Sequence, residues 1–217
     1  MKKLPIMLMV LTAAILVTAI THCAPKEKGQ PLAVDLGLPS GTLWATCNLG
    51  ADKEEEYGSY FAWGETAPKD HYFYDNYAYA APDESQSTVD IGESICGTQY
   101  DAAKALWGGS WRLPTEEEMT ELIDLCEWKW DSVGDTYGVR VTGPSGKSIF
   151  LPAGGKNGKL EDGELQCAYW TGSVSRGGIG RTASSLDCTW NEENDETTLQ
   201  VWGEYKVFGL LVRSVCK

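Results

Sequence analysis

"WGGSWRLPTEEEMTELIDLC", residues 107 to 126, decides how this chain is read. Gly108 and Gly109 stop whatever precedes them, and Pro114 followed by Thr115 opens a helix. Thr115 with Glu118 three residues later forms a capping box, and Glu116, Glu117 and Glu118 set negative charge at the positive end of the helix dipole. Met119, Leu122, Ile123 and Cys126 recur at i, i+3, i+4 and i+7, which gives one apolar stripe for a core. Arg112 lies between Trp111 and Leu113, both core candidates, so a salt bridge to a nearby carboxylate is expected. Just upstream, "TQYDAAKALWGG" offers Thr98 as a cap, helix formers in the middle and the glycine pair as a stop. Two helices are predicted.

Outward from this pair the periodicity changes from helical to alternating. In "TLWATCNLG", Leu43, Ala45, Cys47 and Leu49 alternate with Trp44, Thr46 and Asn48, and "YGSYFAW" reads as a strand in the same way. Residues 66–98 are rich in Tyr, Asp, Pro, Ser and Ala and read as an irregular, partly packed loop. Beyond Trp130, "YGVRVTGPSGKSIFLPAGG" is a hairpin around "GPSG". "CAYWTGS", "TASSLDCTW", "TLQVWGEY" and "VFGLLVRSVC" add up to four short strands. Strands, then two helices, then a run of antiparallel strands predict a single α+β domain with both helices packed on the sheets, over residues 32–217.

Composition agrees with a packed domain. The chain has 217 residues, 42% hydrophobic and 11% aromatic, enough for a sizeable core. Its 31 acidic and 18 basic side chains leave a net charge of −13, which repels a phosphate backbone and argues against nucleic acid as a partner.

The first residues, "MKKLPIMLMVLTAAILVTAITHC", place two lysines before an apolar run from Leu4 to Ile20 and a cysteine after it, the layout of a bacterial secretory signal. Residues 1–22 read as a lipoprotein-type signal peptide, with Cys23 as the lipidated residue, although His22 stands where the lipobox prefers a small side chain. Cleavage after Ala19 and a retained anchor are the competing readings. Residues 23–31 form a short polar tether. Six further cysteines, Cys47, Cys96, Cys126, Cys167, Cys188 and Cys216, permit disulfides in an exported protein, and buried thiols are the alternative.

Taken together, "VDLGLPSGTLWATCNLGA", "YGSYFAWGET", "YDAAKALWGGSWRLPTEEEMTELIDLCEWKW", "GPSGKSIFLPAGG", "YWTGS" and "GLLVRSV" resemble the Fibrobacter succinogenes major paralogous domain. The resemblance runs in order from about residue 33 to the C-terminus. It implies an exported or lipid-anchored protein of the cell envelope, outer membrane or cell surface, of the kind found mostly in gut bacteria. That family is similar in fold to the formylglycine-generating sulfatase-modifying enzymes and to C-type lectin-like domains, so the resemblance also implies a C-type-lectin-like architecture.

Catalytic chemistry finds little footing in the residues. Formylglycine-generating enzymes use copper on a close cysteine pair, whereas Cys167, Cys188 and Cys216 are widely spaced. After signal removal His71 is the sole histidine, no GxSxG elbow accompanies it, and a solvated loop histidine is the expectation. Carboxylates are too numerous for any pair to stand out as a glycosidase signal, and Glu116 to Glu118 are accounted for by the helix start. The segment "CTWNEENDETT" resembles the Trp-Asn-Asp calcium motif of sugar-binding lectins, which makes Asn191, Glu192, Asn194 and Asp195 calcium candidates without the companion Glu-Pro-Asn motif.

Aromatic residues carry the binding expectation. Trp44, Trp63, Trp107, Trp111 and Trp128 sit beside structural punctuation and are expected in the core or lining a cleft. Trp170, Trp190, Asn191, Trp202 and Tyr205 fall where lectin folds present ligands, and are the candidate ligand-binding residues. The expected function is non-catalytic recognition of a glycan or protein at the envelope, with the membrane met through the lipid anchor and no cofactor other than a candidate calcium. The alternatives are an enzyme, of formylglycine-generating type or a hydrolase, and a structural envelope protein.

Overall fold

The helix that opens at Thr115 sits where every layer of the structure meets. The computed structural model describes residues 31–82, 87–160, 164–176, 180–191, 193 and 195–217. In chain order the elements are β1 (Ala33–Asp35), β2 (Leu43–Ala45), α1 (Ala102–Trp107), α2 (Glu116–Leu125), β3 (Glu127–Val133), β4 (Thr136–Thr142), β5 (Ser148–Pro152), β6 (Glu164–Val174), β7 (Thr182–Asn191), β8 (Glu196–Tyr205) and β9 (Val215–Cys216). They form three antiparallel three-stranded sheets, β1-β2-β9, β3-β4-β5 and β6-β7-β8, so the architecture is α+β. The signal segment, Cys23 and most of the tether lie outside the described residues. Among the described residues no helix is long and apolar enough to cross a membrane.

At the start of α2 the Thr115 hydroxyl accepts the Glu118 N–H at 3.2 Å, and the Glu118 carboxylate accepts the Thr115 N–H at 3.0 Å. The same carboxylate takes two hydrogen bonds of 2.7 Å from the Arg112 guanidinium and one of 2.7 Å from the Thr42 hydroxyl. Arg112 therefore has its salt bridge, six residues along the chain. Burial opposes ionisation of Glu118, but the donors from Arg112, Thr115 and Thr42 prevail and hold its pKa down at about 2.

The cap of α1 differs from expectation. Asp101, not Thr98, caps it: one carboxylate oxygen accepts from Ala103 N and Lys104 N, and the other from Gly97 N and Leu113 N. Thr98 instead donates its hydroxyl to the Ile95 carbonyl within the preceding turn. Asp101 is fully buried, and that burial raises its pKa against the pull of its four N–H donors. Its side chain thereby clamps the segments before and after α1 to the helix start.

Two cores flank β6 and β7. On one face Cys167, Tyr169, Leu186 and Cys188 meet Met119 and Leu122 of α2, together with Val139, Val141, Ile149 and Leu151 of the β3-β4-β5 sheet. On the other face Ala168, Trp170 and Ala183 meet Phe61, Trp63, Ile95, Ala102 and Leu113. "YGSYFAW" supplies Phe61 and Trp63 to this second core as an irregular stretch, tied by one bridge between Phe61 and Leu210, rather than as a strand. The helix-to-sheet switch also comes earlier than predicted, because β3 begins at Glu127 directly after α2.

The last residues are extended and pass through the middle of the domain. Leu49 N bonds Val212 O, Ala45 N bonds Ser214 O, and Arg112 and Val215 exchange both backbone bonds. Arg213 lies among them with no exposed surface. Its guanidinium donates to Asn48 Oδ1 at 2.9 Å, Ala45 O at 3.0 Å and Phe150 O at 2.7 Å. All three acceptors are neutral, and burial lowers the Arg213 pKa, although an arginine stays charged.

Candidate ligand-binding site

The second core covers only one end of the face that β6, β7 and β8 share with it. Strand alternation continues that face through Gln166 on β6, Asp187 and Thr189 on β7, and Thr198, Gln200 and Trp202 on β8. The register sets Gln166 opposite Thr189, Thr189 opposite Thr198, and Asp187 opposite Gln200, so hydroxyls, amides and one carboxylate form a continuous polar floor. Asp187 organises it, accepting from Gln166 Nε2 at 3.1 Å and Thr189 Oγ1 at 2.6 Å through a single oxygen.

The loop after β5 walls this floor. Gly155, at φ +63°, donates its N–H to Gln166 O, and a Cβ there would sit 1.8 Å from the Lys159 carbonyl, so only glycine permits the tight return of residues 156–159. Asn157 fastens the loop to the turn after β8, its N–H donating to Gly209 O at 2.7 Å and its side-chain oxygen accepting from Gly209 N at 2.6 Å. Lys156 pairs with Glu204. Between loop, turn and sheet lies a cleft of about 660 Å³, bounded by Lys156, Lys159, Leu160 and Phe208 above the polar floor. That volume and lining suit one or two rings of a polar small molecule.

The candidate aromatic residues separate on inspection. Trp170 is 1% exposed, and its indole N–H donates to the Phe61 carbonyl at 2.7 Å. It is a core residue and not part of a surface, because the chain between Leu49 and Leu113 folds over the end of the sheet where it sits. Trp202 is 61% exposed; alternation along β8 gives it the parity of Gln200, but it borders a smaller crevice beyond the cleft. Tyr205 is 47% exposed and meets the Phe208 ring edge-on at 5.7 Å between centroids. Trp190 is half-buried on the opposite face, in line with Cys188, and its N–H donates to Asp195 Oδ1 at 3.0 Å. Trp190 and Trp202 therefore do not share one surface.

Glu192 and Asn194 lie outside the described residues. Asn191 donates to Glu164 Oε1 at 3.1 Å and accepts from Glu193 N at 2.9 Å. Asp195, with φ +53°, accepts from Trp190. Both side chains thus hold the end of the β7–β8 hairpin together. Among the described residues, no group of three or more His, Cys, Asp or Glu side chains comes together as a metal site. His71 is exposed in its loop beside Phe73.

A second, smaller crevice of about 360 Å³ lies at the start of α2, where Glu116, Arg176 and Ser184 meet the edge of β8 near Trp202. Its charged groups already engage one another: Arg176 pairs with Glu117 at 2.8 Å, and the Ser184 hydroxyl donates to Glu116. The larger cleft, whose floor keeps unspent donors and acceptors, is the better equipped to take a ligand. The cleft floor consists of Gln166, Asp187, Thr189, Thr198 and Gln200, none of them among the aromatic candidates. A signal for these polar residues does exist, in the regular alternation of "LDCTW" and "TLQVW".

Comparison of the chain with protein-family models, with curated proteins and with solved structures finds no match.

Proposed function

We propose that this protein is a non-catalytic glycan-binding module of the bacterial cell envelope, held at the outer membrane or cell surface through a lipid on Cys23, and that the cleft walled by residues 156–160 receives the sugar. The observation that carries the proposal is the floor itself. Gln166, Asp187, Thr189, Thr198 and Gln200 present amides, hydroxyls and a carboxylate at strand spacing, the donor and acceptor mixture that matches the hydroxyls of a neutral saccharide. Phe208 at the rim offers an apolar face for a sugar ring, and Trp202, exposed two residues beyond Gln200 on β8, offers a second on the same strand face. The acidic surface does not suit nucleic acid.

A C-type-lectin-like fold is part of this proposal. Its support is one sheet in which β2 joins the first strand to the last, two helices, and an irregular stretch before them packed onto a separate antiparallel sheet. Export and lipidation rest on the sequence of residues 1–23. Calcium is not required by this cleft, since its floor binds hydroxyls directly.

A glycan array probed with the full chain tests the site. Asp187→Ala and Trp202→Ala are expected to reduce capture of the bound glycan at least tenfold, with Trp202→Ala altering stability by no more than about 0.5 kcal/mol, as for an exposed residue. Undiminished capture by both variants would remove the cleft. A blank array together with protein capture in pull-downs would favour a protein ligand, and incorporation into large assemblies without either would favour a structural role. Anchoring is tested apart from binding: Cys23→Ser is expected to lose the lipid mass and to leave the membrane fraction, and unchanged mass and partitioning would overturn lipidation.

A further inference from the structure

Directly behind the polar floor, on the opposite face of the same strands, two cysteines oppose each other. Cys167 of β6 and Cys188 of β7 are register partners in the antiparallel ladder. Both are buried in the main core, beside Tyr169, Leu186 and Leu151. The Cys167 thiol donates to the Leu151 carbonyl at 3.3 Å, and burial followed by the proximity of Cys188 raises its pKa well above the ordinary thiol value. No other register pair in the three sheets places cysteine against cysteine.

We propose that Cys167 and Cys188 are joined by a cross-strand disulfide when the chain folds in oxidising surroundings. Opposed residues on neighbouring strands hold their Cβ atoms about 4.5–5.5 Å apart, and a disulfide takes up about 3.5–4.5 Å. Closing the bond therefore draws the two strands together by about an ångström and leaves the ladder register intact. The oxidant is an exchange-reactive disulfide, either glutathione disulfide or a protein disulfide oxidase. One cysteine thiolate attacks a sulfur of that disulfide and expels its partner as a thiolate. The second cysteine, as thiolate, then attacks the sulfur of the mixed disulfide and expels the other half. The two cysteines give up two protons and two electrons, and the oxidant leaves as two thiols.

Access dictates when this happens. With both sulfurs shut in the core and the Cys167 thiol held protonated, exchange belongs to the open β6–β7 hairpin, before α2 and the β3-β4-β5 sheet close over it. Once enclosed, the bond is protected from reductants by the same packing. It also ties together the strands that carry Gln166 and Asp187, whose positions immediately precede those of the two cysteines, so the crosslink stiffens the cleft floor from behind.

The test needs no ligand and is independent of the glycan experiments. The full chain is refolded in a glutathione redox buffer, its folded state is verified by circular dichroism, and it is then denatured, treated with N-ethylmaleimide, digested and analysed by mass spectrometry. The expected product is a linked pair of peptides containing Cys167 and Cys188, lighter than the two thiol peptides by two hydrogens. Wild type refolded with excess reductant throughout is expected to melt about 5 °C below wild type refolded in the redox buffer, and the Cys167→Ala/Cys188→Ala double variant is expected to show no such difference. Maleimide on both cysteines of the folded, oxidised protein, or a link from either to a different cysteine, would overturn the proposal. So would an equal difference between reduced and oxidised preparations of the wild type and of the double variant.

Discussion

Arg213→Ala is expected to destabilise the domain by about 4 kcal/mol or more, the largest loss for any single side chain considered. Arg213 is fully buried and is the shared donor for Asn48 Oδ1, Ala45 O and Phe150 O, three acceptors on three separate segments. Truncation leaves each acceptor unpaired in the core, at about 1–3 kcal/mol apiece, and opens a cavity as well. Relief from burying a cation offsets part of that cost. Because whole domains are stable by only about 5–15 kcal/mol, the variant should melt at least 10 °C lower. Arg213→Lys keeps the charge but not the planar fork, so it should recover less than half of the loss. Urea titration followed by circular dichroism measures both, and a fall of under about 1 kcal/mol for the alanine variant would show that the three acceptors find other partners.

The second large effect depends on pH. Glu118 has a pKa of about 2 in the folded protein against an ordinary 4.5. Its carboxylate side chain is 9% exposed, and Arg112 grips it with both nitrogens. A value depressed by folding means that the contribution of the carboxylate is complete above the unfolded value, declines as pH falls below it, and is gone once pH has passed through the folded value. The window runs from about 4.5 down to about 2, and the loss across it amounts to about 3 kcal/mol. Arg112→Ala strands the buried carboxylate and should cost about 3–5 kcal/mol at neutral pH. The gap between wild type and variant should then narrow as the pH is lowered from 4.5 toward 2, because the wild type loses the stability that the paired carboxylate contributes and the variant has none of it to lose. Denaturant midpoints for the two proteins at pH 7, 4.5 and 2.5 measure this directly. A gap that stays constant with pH would mean that the Arg112–Glu118 pair does not carry the effect.

What could be read from the sequence was whatever is settled within one or two turns of chain. The capping box at Thr115, the stripe from Met119 to Cys126 and the hairpin around "GPSG" all depend on near neighbours, and each occurs where expected. That Arg112 needs a nearby carboxylate is legible for the same reason, whereas the choice of Glu118 over its neighbours is made by the folded helix start. Asp101 was missed because it caps α1 while also reaching back to Gly97 and forward to Leu113, and only the folded chain brings those amides together. Trp170 is a core residue and not a binding one, which its sequence does not reveal, because strand alternation tells which residues share a face and not what covers that face. Phe61 and Trp63, which do cover it, come from a stretch that itself looked like a strand. The candidate cleft escaped for a related reason. Its floor alternates visibly in β7 and β8, but its wall depends on Gly155 and Asn157 bending the loop after β5 onto β6 and onto the turn after β8.

The extended C-terminal segment sets the timing of folding. Val215 pairs with Trp44, Ser214 with Ala45, and Val212 with Leu49, so contacts at the start of the domain wait for a segment about 170 residues further on. Arg213 arrives in the same segment, and until it does Ala45, Asn48 and Phe150 lack their common donor. A chain under synthesis can form α2 or the β4–β5 hairpin early, but it cannot seal either core before residues 212–216 are available. Sealing of both cores is thereby tied to the arrival of one short segment, Val212 to Cys216, which closes contacts made across most of the length of the domain.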